Sequence, residues 1–324
     1  MTGGRFRTIT ILDTSIASTN VGDEIIMEAV RNQLAAPLAN DYVNRVASHE
    51  TMSAKSRGMI SKSDYAIAGG SNLLSSHVGI RSVWKLSPLD ATLGRKFVMM
   101  GVGWYHDQGP PDPYAAWMFK SIFSREKLHS VRDEYTKKKL TDLGFSNVVN
   151  TGCPTLWDLP YNVNERTPAA KAQNVVTTLN TYMKDRDADA ALLRLLQEKY
   201  ERVFAWVQTY ADQDYLRSLF PAIELIAPNL PAYDSLLMEK IDLDYVGNRL
   251  HAGIRALQKG RRTIIIEIDN RAREMGRDFQ LPTIARNDFA ALESMIDQPL
   301  QQKITLPRSE INRWLDQWKS ENRE

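Results

Sequence analysis

The stretch DYVGNRLHAGIRALQKG, residues 244–260, reads as the end of a strand followed directly by the start of a helix. Leu250, Ile254 and Leu257 fall at i, i+4 and i+7 and form one apolar helical face. Arg249, His251 and Arg255 sit beside that face, at or near the mouth of a helix otherwise bound for a core. A strand running straight into such a helix is half of a βαβ unit. The reading of the whole chain turns on whether that unit repeats.

It does repeat. Towards the N-terminus, RTITILDTS (7–15), DYAIAGGSNLL (64–74), KFVMMGVGW (96–104) and NVVNTGCP (147–154) read as strands. Between them lie the helical stretch starting at NVGDEII (20–26) and LHSVRDEYTKKKLTDLGF (128–145), a strand end and then a helix closed by Gly144. PYNVNERTPAAKA (160–172) is polar, carries two prolines and reads as a connection. The pattern then restarts with strands at 174–182, 202–210, 223–228 and 261–269, separated by helices. Apolar strands alternating with amphipathic helices predict parallel sheets covered on both faces. The expected class is therefore α/β, with two Rossmann-like doubly wound domains facing a cleft. The boundaries follow as an N-terminal domain at 1–162, a C-terminal domain at 170–305, and an amphipathic C-terminal helix at 306–324 with Ile311, Leu315 and Trp318 in register.

Composition sets the outer limits. The chain has 324 residues, 43% hydrophobic and 25% charged, which suits two ordinary globular domains. With 41 basic against 39 acidic residues the net charge is +2, which gives no support to a nucleic-acid partner or a polybasic membrane surface. The single cysteine, Cys153, forms no intrachain disulfide and fits a reducing compartment. The N-terminal run reads as a first strand rather than a signal peptide, and no stretch has the apolar length of a membrane span. The expected location is cytoplasmic, with a peripheral visit to the inner membrane face left open.

In open α/β sheets ligands bind beyond the carboxyl ends of the strands, so the loops there are where chemistry is sought. In TSIASTNVGDEII, Asn20, Gly22 and Asp23 stand at a helix start, where free N–H groups suit an anion or a sugar hydroxyl. Simple capping by Asn20 or Asp23 is the rival reading. In AIAGGSNLL, Gly69 and Gly70 allow a tight turn, and Ser71 and Asn72 add polar contacts. Gly101 and Gly103 do not complete a dinucleotide fingerprint. In HSVRDEYTKKKL, Asp133 is an N-cap, and Arg132 is placed to grip a carboxylate or phosphate, or else to form an ordinary ion pair. His251, between arginines at a strand-to-helix mouth, is a candidate proton donor. The five histidines are widely spread, so no metal is expected, and there is no P-loop or GxSxG.

Taken in order, NVGDEII, AGGSNLL, SVRDEYTKKKLTDLG, GNRLHAGIRAL and TIIIEIDNRAREM resemble the polysaccharide pyruvyl transferase family from about residue 8 to residue 290. SVRDE and RLHA are the specific parts. Two departures stand out. Ser71 occupies a place where the family often has a third glycine, and GCPTLWDLP lacks the acidic residue that many members carry there. Both concern loops expected to face the acceptor.

The resemblance implies a fold like the B-type glycosyltransferases, with the acceptor on the N-terminal domain and the donor on the C-terminal one. It implies that phosphoenolpyruvate, as co-substrate and with no cofactor, gives its enolpyruvyl carbons to two hydroxyls of a sugar. A cyclic pyruvate ketal forms and phosphate leaves. Arg132 and Arg249 are the matching positions for gripping the donor, with Leu250 beside them, and His251 matches the general acid. Asp23 is the expected base. The acceptor is a cell-surface glycan precursor, whether nucleotide-linked, lipid-linked or polymeric, and the sequence sets neither the sugar nor the oligomeric state. A nucleotide-sugar glycosyltransferase of the same fold and a non-catalytic sugar-binding protein are the alternatives. Trp104, Tyr105 and Trp157 are read as core or rim aromatics rather than sugar platforms.

Overall fold

The computed structural model describes residues 6–79 and 82–319. Contacts divide the chain into two units. The first takes the chain through Ser18, then Ile26–Trp157, and again from Leu306 onward. The second comprises Thr19–Ile25 and Asp158–Thr305. The break at Trp157 falls just before the polar connection, and the chain after residue 305 returns to the first unit.

In the first unit the order is β1 (Thr8–Asp13), α1 (Gly22–Ala35, whose first turn clusters with the second unit), β2 (Tyr42–Ala47), α2 (Ala54–Lys62) and β3 (Tyr65–Gly69). Then come β4 (Phe97–Met100), α3 (Pro113–Ile122), β5 (His129–Val131), α4 (Glu134–Asp142), β6 (Val148–Asn150) and α5 (Pro154–Trp157). Strands β2-β1-β3-β4 form one parallel sheet and β5-β6 a parallel pair. Backbone bonds from Gly101 to Ser130 (2.9 Å) and from Arg132 to Val102 (3.1 Å) join β5 to the chain leaving β4. The chain order reverses between β1 and β3, which makes their carboxyl ends the switch point of this sheet.

The second unit holds α6 (Val163–Arg166), β7 (Asn174–Thr177), α7 (Arg186–Lys199), β8 (Arg202–Trp206), α8 (Tyr210–Leu219), β9 (Glu224–Ile226) and α9 (Leu230–Met238). It continues with β10 (Leu243–Gly247), α10 (Leu250–Gln258), β11 (Thr263–Glu267), α11 (Asn270–Phe279), β12 (Thr283–Ala285) and α12 (Phe289–Asp297). Its six strands are all parallel, in the order β12-β11-β10-β7-β8-β9. Counted from β7, that is 6-5-4-1-2-3, the Rossmann order, with its switch point between β7 and β10. The α/β class and the parallel sheets expected from the alternation are therefore present.

Central strands are buried throughout because helices cover both faces. FVMM of β4 is wholly buried, as is LDYVG of β10. Each fully buried Val, Leu or Ile contributes about 1.5–3 kcal/mol. Aromatic rings fill the first core: Phe119 stacks on Phe123 at 5.2 Å, and Trp84 and Trp104 pack edge-on against Phe97 and Phe119. Trp104 and Trp157 are buried, and Tyr105 reaches the surface.

Several elements escaped the sequence reading. The polar run after Ile268 is the start of a helix, α11. The Asp269 carboxylate accepts the Arg271 N–H at 2.9 Å, and Ala272, Met275 and Phe279 bury one face. The C-terminal helix, α13, spans Arg308–Asp316. Its buried face is Ile311 and Trp314, continued by Trp318, while Leu315 is half-buried. Residues 320–324 of the expected helix lie outside the described residues. Gln317 ties this segment to the first unit, accepting from the Leu128 N–H (2.8 Å) and donating to the Leu128 carbonyl (3.0 Å). No helix among the described residues is long and apolar enough to cross a membrane.

Candidate functional site

In the second unit the opening stretch resolves into β10, a two-residue link and α10. Leu250, Ile254 and Leu257 are buried as the helical spacing requires. Arg249 is the N-cap residue of α10. Its side chain offers no acceptor to the helix, so it leaves the first-turn N–H groups uncapped. The Arg249 backbone is fixed by a chain of hydroxyls. Tyr245 donates to the Arg249 carbonyl (2.8 Å), Thr178 Oγ1 lies 2.6 Å from the Tyr245 oxygen, and the Arg249 N–H donates to Thr178 Oγ1 (3.2 Å). Burial pushes the Tyr245 phenol above its usual range, so it stays a donor. Thr178 follows β7 and Tyr245 lies in β10, so this network spans the switch point.

The Arg249 guanidinium is 8% exposed. Nη2 pairs with the Asp212 carboxylate, Nη1 approaches Asn20 Oδ1 at 3.5 Å, and Nε is buried without a partner. Its Cζ lies 5.4 Å from the centre of the Tyr182 ring. Asp212 is fully buried near the start of α8 and also accepts from Thr181 (3.1 Å). His251, one turn-position further along α10 than Leu250, is buried. Arg255 is not part of this arrangement: its Nε and Nη2 grip Asp234 on α9 at 2.7 and 2.5 Å. Asn20 stands two residues before the first residue of α1, and its Oδ1 accepts the Gly22 N–H at 3.2 Å. Asp23 is buried in the first turn of the same helix. A Cβ at Gly22 would lie 3.1 Å from Gln208 Oε1, and Gln208 Nε2 is itself buried without a partner.

Four residues of this unit escaped sequence reading: Asp212, Gln208, Tyr182 and Arg271. Each stands just beyond the carboxyl end of a strand. The signal was their position after β7, β8 and β11, which becomes visible once the strand order is known.

In the first unit Arg132 follows β5 and is fully buried, not presented at an open edge. Its Nη1 donates to Asn72 Oδ1 at 2.5 Å and its Nε to Asp133 at 3.3 Å, while Nη2 is buried without a partner. Asp133 caps α4 as expected, accepting from Thr136 N–H at 2.7 Å. Gly103 makes room for the guanidinium: a Cβ there would sit 2.2 Å from Arg132 Cζ. At the carboxyl end of β3, a Cβ on Gly69 would press on Val30, and one on Gly70 would fall 2.3 Å from Ile26. Ser71 adopts a left-handed backbone (φ 64°), and its hydroxyl faces His49 Nε2 at 3.4 Å. The hydroxyls of Thr14 and Ser48, after β1 and β2, are buried and unpartnered. Buried orphan groups are uncommon in native folds, and here they cluster beyond strand ends.

The model of the family described as polysaccharide pyruvyl transferase matches residues 20–270. The chain belongs to that family. The match takes in the Asn20–Gly22–Asp23 helix start, Ser71–Asn72, Arg132 and the Arg249–His251 mouth of α10 within one span. This pyruvyl transferase is thus a transferase enzyme. No individually curated protein matches it. Among solved structures, a UDP-N-acetylglucosamine 2-epimerase shares 10% identity, covering 96% of this chain and 94% of that one, with a TM-score of 0.48. A UDP-GlcNAc 2-epimerase from Neisseria meningitidis, bound to UDP-GlcNAc, shares 10% over 97% and 93%, with a TM-score of 0.45. The glycosyltransferase SnogD from Streptomyces nogalater shares 10% over 98% and 96%, with a TM-score of 0.35. Likeness at that level carries no argument about chemistry. The fold of this pyruvyl transferase rests on its own strand order.

Proposed function

We propose that this transferase moves the enolpyruvyl group of phosphoenolpyruvate onto two hydroxyls of one sugar in a cell-surface glycan precursor. The observation that carries this reading is the mouth of α10. A guanidinium and an imidazole are held there two residues apart, on either side of Leu250, beside helix N–H groups that the Arg249 side chain leaves uncapped, at the switch point of the second sheet.

The chemistry asks for those groups. Phosphoenolpyruvate brings a carboxylate and a phosphate, which guanidiniums recognise. Its C3 must gain a proton as a sugar oxygen bonds to C2. We assign that proton to His251, and Arg249 with Leu250 to donor binding. Phosphate then leaves with the C2–O bond electrons, and the second hydroxyl adds to C2. Of the two hydroxyl protons given up, one balances the new methyl group and one leaves on phosphate. We assign Arg132 to anion binding in the first unit, with Asn72 orienting it. The loops at Asn20, Gly22, Gly69, Gly70 and Ser71 are assigned to the acceptor or to anions, and Asp23 to the first hydroxyl as base. No cofactor enters this scheme. We assign the enzyme to the cytoplasm, where phosphoenolpyruvate is made, with peripheral access to the inner membrane face.

Phosphate release from phosphoenolpyruvate, measured across a panel of free, nucleotide-linked and lipid-linked sugars, tests the reading. Release dependent on one acceptor class, with a pyruvate ketal on the product by mass and NMR, is the expected result. Thermal stabilisation by nucleoside diphosphates but not by phosphoenolpyruvate would overturn it in favour of a nucleotide-sugar glycosyltransferase.

A further inference from the structure

The donor carries two anionic groups, yet the mouth of α10 offers one guanidinium, and Asp212 already pairs with it. A second guanidinium of the same unit stands close by. Arg271, in the first turn of α11 beyond β11, is gripped by Asp269 through both Nε (2.9 Å) and Nη2 (2.5 Å). One ring separates the two cations. Tyr182, in the loop after β7, has Arg249 Cζ at 5.4 Å and Arg271 Cζ at 5.6 Å from its centroid, and its hydroxyl accepts from Arg271 Nη2. Yet that ring is 51% exposed, so burial does not lock it in place.

Resting on the phosphoenolpyruvate reading above, we propose that Arg271 is a second donor-binding cation and that Tyr182 is a placeholder between it and Arg249, displaced when the donor enters. Three features support this. Each guanidinium holds its own carboxylate, Asp212 or Asp269, and these carboxylates orient the cations without filling the space between them. An aromatic face lowers the cost of leaving two cations near each other while no anion is present. Arg249 Nε is buried and unpartnered, so the cluster is short of an acceptor. A donor anion supplies the acceptor that a phenol ring cannot, and its charge-assisted bonds outweigh the two ring contacts it replaces.

The test uses the full chain and two probes, phosphoenolpyruvate and inorganic phosphate, with binding read by calorimetry and turnover by phosphate release. Arg271→Ala is expected to raise KM and Kd for phosphoenolpyruvate by about tenfold to a hundredfold, with kcat changed far less. Arg271→Lys, which keeps the charge, should recover much of that loss, and matching melting curves separate the effect from misfolding. Tyr182→Ala should tighten phosphate binding by about two- to fivefold, since an occupant has been removed. Weaker binding in Tyr182→Ala, or an unchanged phosphoenolpyruvate Kd in a folded Arg271→Ala, overturns the inference. If the unaltered protein binds neither probe, it is the donor reading itself that fails.

Discussion

Replacing Gly103 by alanine inserts one methyl group where the structure has no room for it. The new Cβ would lie 2.2 Å from Arg132 Cζ, 2.3 Å from Nη2 and 2.7 Å from Nη1. The backbone cannot move aside: the Gly103 N–H donates to Ser71 (2.8 Å) and its carbonyl accepts from Leu74 (3.1 Å). The guanidinium must yield, and it is fully buried. Overpacking of this kind costs about 1–3 kcal/mol. Losing the charged hydrogen bond to Asn72 adds about 1.5–3 kcal/mol. The expected destabilisation of the first unit is therefore about 3–5 kcal/mol, a fall in its melting temperature of roughly 10 °C. Urea titration of the first unit's transition measures it. The decisive control is the same change in an Arg132→Met background, where the methyl group meets a flexible thioether. There Gly103→Ala should cost under about 1.5 kcal/mol, leaving a coupling of about 2 kcal/mol or more. An equal cost in both backgrounds would falsify the claim that Gly103 exists to seat Arg132.

Other expectations follow from the same geometry. His251→Ala should lower kcat by about a hundredfold or more with the true acceptor while leaving the fold intact; full turnover in that variant would rule out its proton-donor role. Arg249→Met strands the buried Asp212 carboxylate and should cost about 3–5 kcal/mol, seen as an early second-unit transition in chemical denaturation. Ser71→Gly relieves a left-handed serine and should change stability by between zero and about 1 kcal/mol in the stabilising direction; a clear loss would mean that the contact with His49 outweighs the strain.

Acid should weaken the first unit through His129. Burial pushes this imidazole down to about 4; Nδ1 accepts from the Met99 N–H (3.2 Å), and Nε2 is 2.8 Å from the Ser124 carbonyl. The folded state therefore holds the neutral ring while the unfolded chain takes up a proton below about 6.5. This contribution is intact above that pH and is lost as pH falls towards about 4, up to about 3 kcal/mol in all. His129→Gln should flatten that slope in pH-dependent melting curves.

What the sequence made legible was periodic. Apolar strands such as FVMM and TIIIE, and the i, i+4, i+7 face of α10, carry their class in their spacing. Arg249 and His251 were legible for the same reason, since a strand-to-helix mouth can be located without knowing the fold. The partners of those residues were not. Asp212 lies 37 residues from Arg249 and stands beside it only because β8 neighbours β7, which neighbours β10. Gly103 reads as half of an incomplete fingerprint until Arg132 is seen in its place. Arg271 was hidden because a helix rich in charge, with Ala272, Met275 and Phe279 as its buried apolar residues, resembles a polar loop in one dimension.

The return of the chain to the first unit after Thr305 sets an order on its biogenesis. Arg7 donates to the Trp318 carbonyl at 2.6 Å, and Lys127 lies over the Tyr65 and Trp318 rings at 5.3 and 5.5 Å. The segment around Arg7 therefore makes these contacts only once Trp318 has been made. The second unit, apart from Thr19–Ile25, is one unbroken run and is complete before residue 306 is made. A fragment ending near residue 160 would lack Trp314 and Trp318, whose rings pack edge-on against Trp157 and Tyr65. Cutting the gene at the evident sequence boundary would therefore yield an aggregating piece rather than a domain.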